Sequence, residues 1–290
     1  MFSQFFGTYL EKSGKITAEQ LSACMDYIRT NRVQLGLIAE EEGLLTRQQA
    51  TELNYMQMHS DTKFGVLAIE KGYLTEADVN YLLDKQNTPF FIFVQALEVN
   101  EVMTKGEIDE ALDNFQKDNN YSDEVFEALK YEDIDGFLPA FVQAEDSRYR
   151  DFIGLALRNI VRFVSSYVHI ESGEFVSSIT AKYIACQHTV GDYDGFLGFC
   201  CDTDDILAIA DGYAKEEFDA VDEDALDAVA EFTNCVNGLH AVELSYNDIN
   251  IDMLPPELLF DETIEDSEQF YALPVFIDNK KSTLIVKIGN

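Results

Sequence analysis

Three polar residues in the last third of the chain have types and a spacing that suit work on a phosphorylated partner. Asp227 is followed by Glu231 four residues later and by Asn234 three residues after that. In a helix, these steps bring the three side chains onto one face. An amide can donate to one oxygen and accept from a water, and phosphoryl transfer depends mainly on such positioning. Taken alone, the pattern favours the solvated helix face of an acidic protein.

The segment from Asp222 to Gly238 predicts the helix that carries these residues. Acidic residues open the segment and Gly238 closes it, and both are typical helix boundaries. Its apolar positions share one face, which should be buried: Leu226, Val229, Ala230, Thr233 and Val236. A carboxylate and an amide then lie side by side on a different face, free to meet a partner.

The surrounding residues predict an α+β domain over 149–290. Residues 149–168 have helical apolar spacing, and later runs alternate as strands do. Two pairs of runs predict β-hairpins, 181–190 with 195–202 and 271–277 with 283–288. Because helices separate these β segments, the α+β class fits better than an all-β sandwich.

Within this frame the chain resembles the CheX, CheC and FliY family of chemotaxis phosphatases. The family signature is an Asp or Ser, a Glu four residues later, an Asn three further and a proline about two dozen beyond. Here the matching residues are Asp227, Glu231 and Asn234, followed by Pro255 and Pro256. CheC-like relatives carry a second motif on their first helix. Its Asn matches Asn159 but its Glu is replaced by Ala156, which implies one active site per chain.

The resemblance implies hydrolysis of the aspartyl phosphate of a response-regulator receiver. Asn234 would orient the attacking water, Glu231 would pair with the lysine beside the phosphorylation site, and Asp227 would support the motif. The receiver would supply the magnesium ion, so no cofactor is expected on this chain. If the resemblance extends to assembly, it also implies a homodimer.

The first 118 residues consist of one unit repeated four times at an interval of 29 residues. Each copy contains a threonine followed three residues later by Gln, Asp or Glu, a capping box that predicts a helix start. These pairs are Thr17 and Gln20, Thr46 and Gln49, Thr75 and Asp78, and Thr104 and Glu107. A glycine before the threonine in three copies predicts the end of a shorter first helix. We expect an all-α helical repeat, joined to the second domain by a connection over 119–148.

Copies two and three resemble the cyclic di-GMP-binding domain at the amino terminus of MshE-type secretion ATPases. The matching residues are Gln34, Leu35, Gly36, Gly43 and Gln57 in one copy and Lys63, Phe64, Gly65, Gly72 and Gln86 in the other. The family's opening arginine is Gln34 here in one copy and Lys63 in the other, and neither offers the planar guanidinium fork. These departures favour a structural or protein-binding repeat, with a cyclic di-GMP receptor as the alternative. A non-catalytic signalling adaptor is the corresponding alternative to the enzyme.

Composition narrows the list of partners. The chain has 54 acidic and 20 basic residues, a net charge of −34. Such a field repels nucleic acid and anionic membranes. Neither a signal peptide nor a membrane-spanning segment is expected. Five scattered cysteines indicate reduced thiols of a cytoplasmic protein, and no histidine pair has metal-ligand spacing.

Overall fold

The structure is a computed structural model that describes residues 1–58, 62–86 and 88–289. The chain divides into two compact units. The helical unit contains residues 2–120 and 130–132, and the mixed unit contains Met1, 121–129 and 133 onward. Asn290, the last residue of the predicted second domain, lies outside the described residues.

The helical unit contains helices in short–long pairs. They are α1 (Phe2–Lys12), α2 (Ala18–Thr30), α3 (Leu35–Glu41), α4 (Arg47–Met58), α5 (Phe64–Glu70), α6 (Glu76–Lys85), α7 (Pro89–Val99) and α8 (Lys105–Asp118). The four predicted helix starts are confirmed, because each capping threonine accepts from the backbone N–H three residues on. The side chain of that later residue accepts in return from the N–H of the threonine.

The turns between paired helices require a left-handed backbone. Gly14, Gly43 and Gly72 have φ angles of 69°, 68° and 69°. Each glycine therefore ends the first helix of its pair in the left-handed conformation, as the sequence predicts. At the equivalent place in the fourth pair, Glu101 takes the same conformation with a φ of 54°. A side chain is unfavourable in that region, so the fourth turn is strained relative to the other three.

Aromatic packing forms the interior of the helical unit. Phe6 of α1 contacts Phe93 of α7 and Phe115 of α8, with ring centroids 6.1 and 5.5 Å apart. The buried Gln95 of α7 donates to the hydroxyl of Tyr27 and accepts from the backbone N–H of Gln34. These bonds satisfy the side-chain amide of Gln95, whose burial without partners would destabilise the fold.

Among its described residues, the mixed unit combines five α-helices with six strands. The helices are α9 (Asp123–Lys130), α10 (Ile134–Phe137), α11 (Ser147–Asn159), α12 (Leu207–Ala214) and α13 (Glu223–Ser245), and α11 continues as a π-helical turn over Ile160–Val164. The strands are β1 (Val168–Ile170), β2 (Glu174–Gly191), β3 (Gly195–Cys201), β4 (Ile251–Met253), β5 (Glu257–Ile277) and β6 (Lys280–Ile288). The predicted α+β class is confirmed for this part of the chain.

All strand pairs are antiparallel, in the order β1-β5-β6-β3-β2-β4. Both predicted hairpins are confirmed, β2 with β3 and β5 with β6. Strand β5 begins at Glu257, before the predicted start at residue 271, and its first half pairs with β2. That half is rich in Asp and Glu, which disfavour strands, so the pairing with β2 rather than local preference makes it extended.

Two apolar clusters pack against the sheet. On one side α13 packs against β2 and β3, while α11 packs against α13 and β6. A second cluster is formed by side chains of the strands themselves, including Ile184, Phe196, Phe270 and Ile285. A membrane-spanning helix needs about 20 predominantly apolar residues in a row, and none of the described helices contains such a stretch.

Candidate functional site

Helix α13 carries the three residues singled out in the sequence. Asp222 caps the helix by accepting from the N–H of Ala225, and Glu223 and Asp224 lie in its first turn. The predicted apolar face is buried over its full length: Leu226, Val229, Ala230, Thr233 and Val236. Asp227, Glu231 and Asn234 are exposed. The helix therefore presents the carboxylates and the amide outward from a rigid, packed base.

Gly238 does not end this helix, which corrects the predicted boundary. Helix α13 continues to Ser245 because packing carries it past the glycine. The imidazole of His240 stacks on Phe152, with ring centroids 3.9 Å apart, and its Nε2 lies 2.9 Å from the hydroxyl of Tyr193. A glycine inside a helix costs about 1 kcal/mol, and this tertiary packing offsets that cost.

The side-chain amide of Asn234 is hydrogen-bonded to a strand beneath the helix. Gln187 of β2 donates through Nε2 to Oδ1 of Asn234 over 2.7 Å. The sequence analysis missed Gln187. The alternation along β2 could have indicated it. Gln187 lies on the same side of the strand as Ala185 and Thr189, and both of these residues are buried. A buried glutamine at an apolar position requires a specific polar partner.

Glu231 and Cys235 lie beside α12. Burial, Cys235 and Glu231 raise the pKa of Tyr213, whose ring packs on Phe232 at 5.3 Å. Cys235 is half-buried, and the other four cysteines are buried free thiols. Burial raises the pKa of Cys186 and of Cys200 to about 12, so these two thiols are not nucleophiles at neutral pH.

Exposed apolar side chains continue the surface next to Asn234. Met253, the last residue of β4, and Leu254, which follows it, are 41% and 42% exposed. The sulfur of Met253 would lie 3.9 Å from a Cβ at Gly238, so it sits over the exposed face of α13. Pro255 and Pro256, the prolines of the sequence motif, come directly after Leu254 and are exposed. Because the Nε2 of Gln187 donates both to Asn234 and to the carbonyl of Leu254, this apolar edge begins close to Asn234.

The helical unit has a cavity of about 560 Å³ lined by Gln34, Leu35, Asn54, Gln57, Lys63, Phe64, Gly65 and Gln86. Seven of these are residues that the sequence associated with nucleotide binding, and Asn54 is new. Gly36, Gly43 and Gly72 are not in the lining. Gly43 and Gly72 shape turns, and Gly36 allows close packing, because a Cβ there would lie 3.2 Å from the ring of Phe64. None of the described lining residues carries a carboxylate.

Other polar groups of the mixed unit serve structure. Asn159 is buried and donates to the carbonyl of Leu155 on its own helix, so it does not form a second exposed site. Asp192 accepts from the N–H of Asn250 at the hairpin turn. Among the described residues, no group of three His, Cys, Asp or Glu side chains is arranged to hold a metal ion.

Several solved structures are similar to part of this chain. CheX from Desulfovibrio desulfuricans is 14% identical over 49% of this chain and 99% of its own, with a TM-score of 0.43. A CheC-like superfamily protein from Shewanella sp. PV-4 is 18% identical over 51% and 100%, with a TM-score of 0.45. A CheX–CheY–BeF3–Mg²⁺ complex from Borrelia burgdorferi contains a chain 18% identical over 49% and 97%, with a TM-score of 0.43. No curated protein sequence matches the chain. Residues 183–277, which include Gln187, Glu231 and Asn234, match the protein-family model described as Chemotaxis phosphatase CheX.

Proposed function

We propose that α13 hydrolyses the aspartyl phosphate of a response-regulator receiver that docks on its exposed face. One observation carries the proposal: Glu231 and Asn234 share the exposed face of a helix whose opposite face is buried, inside the segment that matches the CheX family model. A rigid helix is suited to insertion beside a partner's phosphate because it loses little conformational freedom on docking.

The proposed chemistry needs alignment more than basicity. An acyl phosphate is hydrolysed when a water lies in line with the bond to the leaving carboxylate. The amide of Asn234 has donors on Nδ2 and an acceptor on Oδ1, so it can hold that water against the phosphoryl group. Glu231 pairs with the receiver's lysine and so sets the docked geometry. The Mg²⁺ ion that neutralises phosphate charge arrives with the receiver.

The test is the rate of phosphate loss from a panel of phosphorylated, Mg²⁺-loaded receivers. The wild-type chain is expected to accelerate loss from its cognate receiver. Asn234→Ala is expected to lower kcat by roughly 10²-fold or more, because it removes a positioning group. Glu231→Ala is expected to lower kcat and, in addition, to raise the half-saturating receiver concentration.

Glu243→Ala is the matched control. Glu243 is an exposed carboxylate on the same helix at a different angular position, so its removal should leave the rate unchanged. Binding of a receiver without any acceleration would overturn the proposal and leave a non-catalytic adaptor. Light scattering on the same samples tests the homodimer that the resemblance implies.

We propose cyclic di-GMP binding in the cavity of the helical unit as a second function. The supporting observation is local: in a chain of net charge −34, this cavity is lined by Lys63 and four side-chain amides without a carboxylate. Amides suit the hydrogen-bonding edges of guanine, and Lys63 suits a phosphate. Gln86 donates to the carbonyl of Val33, which holds one wall of the cavity in place.

Titration calorimetry with cyclic di-GMP tests this second function. Saturable binding that Lys63→Glu weakens at least tenfold would support it. Lys71→Glu is the control, because Lys71 pairs with Glu52 outside the cavity lining. The absence of heat at high ligand concentration would exclude the nucleotide and leave the helical unit as a structural or protein-binding element.

A further inference from the structure

Gln187 joins three polar groups beneath the exposed face of α13. Gln187 is 1% exposed. Its Nε2 donates to Oδ1 of Asn234 over 2.7 Å and to the backbone carbonyl of Leu254 over 2.8 Å. Its Oε1 accepts from Nδ2 of Asn237 over 2.8 Å. Both the NH₂ group and the carbonyl oxygen of this amide are thus engaged in hydrogen bonds.

The carbonyl of Leu254 determines how the three amides are oriented. A carbonyl oxygen can only accept, so the Gln187 atom that faces it must be the NH₂ group. The Asn234 atom that faces the same NH₂ must therefore be Oδ1, and the Asn237 atom that faces Oε1 must be its NH₂. Nitrogen and oxygen are normally assigned from such networks, and here a backbone atom fixes the assignment.

Leu254 is itself held in place. Its N–H donates to the carbonyl of His188 in β2 over 2.9 Å. Pro255 follows it, and a residue before proline is restricted to extended conformations. The hydrogen bond holds the backbone of Leu254 on β2, and the following proline restricts the torsion that turns its carbonyl. This gives the motif proline a local role in the amide network.

The network is costly for folding. Gln187 and Asn237 are both buried, and among the described residues Oδ1 of Asn237 has no hydrogen-bond partner. A buried polar atom without a partner destabilises the fold, whereas a packed apolar pair at this place would not. The arrangement is therefore better explained by what it does to Asn234 than by stability.

We propose that Gln187 is the positioning residue of the phosphatase site, because it pins Oδ1 of Asn234 and thereby turns Nδ2 toward the docked phosphoryl group. The inference rests on the proposed function. One acceptor site on Oδ1 remains for the O–H of the attacking water, because a carbonyl oxygen has two lone pairs. Without Gln187, the exposed amide rotates about its terminal torsion and presents either end.

Two variants test the inference by activity. Gln187→Glu has nearly the same shape but lacks the Nε2 donors, so Asn234 should turn its own NH₂ toward the new carboxylate. The double variant Gln187→Met/Asn237→Leu removes the buried amides together and should fold with an unchanged or higher Tm. Both are expected to lower kcat by on the order of 10²-fold, the cost of a misplaced group, with the half-saturating receiver concentration changed less than twofold.

Gln143→Met is the matched control for loss of a glutamine amide. Gln143 is exposed and its side chain donates to the carbonyl of Pro139, remote from α13 in the sequence. Its kcat should equal that of the wild type. A folded double variant with wild-type kcat would overturn the positioning role, even though the wild-type chain is a phosphatase.

The side-chain NH₂ signals of Asn234 provide a test that does not need turnover. They are identified in ¹H–¹⁵N spectra by their loss in Asn234→Asp, and their ¹⁵N relaxation reports how rigid the amide is. Ordered signals in the wild type that become mobile in the double variant support the inference. Equal mobility in both chains overturns it. If the wild-type chain dephosphorylates no receiver, the proposed function fails, and these spectra still decide whether Gln187 orients Asn234.

Discussion

The Nε2 of His240 and the hydroxyl of Tyr193 lie 2.9 Å apart in a buried site under the second half of α13. Burial lowers the pKa of His240 to about 4 from its usual 6.5. The imidazole is therefore neutral in the folded protein at neutral pH. Its protonation is opposed by the same packing that extends α13 past Gly238.

The first prediction concerns stability below neutral pH. Between about pH 6.5 and 4 the unfolded chain binds a proton at His240 and the folded chain does not, so stability falls as the pH is lowered through this window. The loss is at most about 3 kcal/mol. Urea unfolding of the wild type and of His240→Gln, measured across this range, isolates the contribution as the difference between the two pH profiles. Parallel profiles would contradict the assignment.

The second prediction separates docking from chemistry. The backbone carbonyl of Leu254 shares the Nε2 of Gln187 with Asn234, and Leu254 is 42% exposed. We therefore expect a receiver docked at Asn234 to cover the side chain of Leu254. Leu254→Ala keeps the backbone carbonyl and removes apolar contact area, which corresponds to about 1–2 kcal/mol. The half-saturating receiver concentration should rise roughly tenfold with kcat unchanged.

Val99→Ala serves as the control for that experiment. Val99 is an aliphatic residue of the helical unit that is 53% exposed, somewhat more than Leu254 at 42%. It should leave both kinetic constants unchanged. A drop in kcat for Leu254→Ala, with unchanged half-saturation, would mean that the side chain acts on the geometry of Asn234 instead of on docking.

The third prediction concerns the turn of the fourth helix pair. Glu101 adopts the left-handed conformation that Gly14, Gly43 and Gly72 adopt elsewhere. Glu101→Gly should stabilise the helical unit by about 0.5–1 kcal/mol, because the relief of strain exceeds the added chain entropy. Gly43→Ala should destabilise it by about 1 kcal/mol, since a Cβ there meets no atom within 4 Å and the cost is purely conformational.

Native-state hydrogen exchange of amides in α7 and α8 measures the first change, and exchange in α3 and α4 measures the second. The opposite signs are the test. If Glu101→Gly does not stabilise the unit, the φ angle at residue 101 carries no strain.

The fourth prediction concerns a partly buried lysine. Lys105 lies 2.6 Å from Glu41 and 3.1 Å from Glu40, and all three side chains are less than a quarter exposed. Burial raises the pKa of the nearby Glu98. Lys105→Met removes the cation that pairs with Glu40 and Glu41 and should destabilise the helical unit by about 1–3 kcal/mol. The loss should shrink at low pH, where Glu98, whose pKa is raised by its burial, is protonated.

Lys117→Met is the matched substitution on the same helix. Lys117 pairs with Asp113 at 4.0 Å, and both are more than two thirds exposed, so its removal should change stability by less than about 0.5 kcal/mol. Thermal unfolding of the two variants at neutral and acid pH makes the comparison. Equal losses would show that burial of the Lys105 cluster contributes nothing.

Local signals determined much of what could be read from the sequence. The four capping threonines predict their helix starts because a capping box is completed within four residues. The buried face of α13 follows from the spacing of Leu226, Val229 and Val236, and this leaves Glu231 and Asn234 outside. The two hairpins follow from alternating runs joined by short turns. Each of these depends on neighbours in the sequence.

Only the tertiary structure decided the rest. Gln187 and Asn234 are 47 positions apart, and no local pattern brings β2 beneath α13. The first half of β5 is acidic and becomes a strand only through pairing with β2. Helix α13 passes Gly238 because His240 packs on Phe152. In each case interactions between distant segments outweigh local preferences, which are worth about 1 kcal/mol or less per residue. The residue types of the candidate site could therefore be predicted from the sequence, whereas the fold decided the orientation of the Asn234 amide.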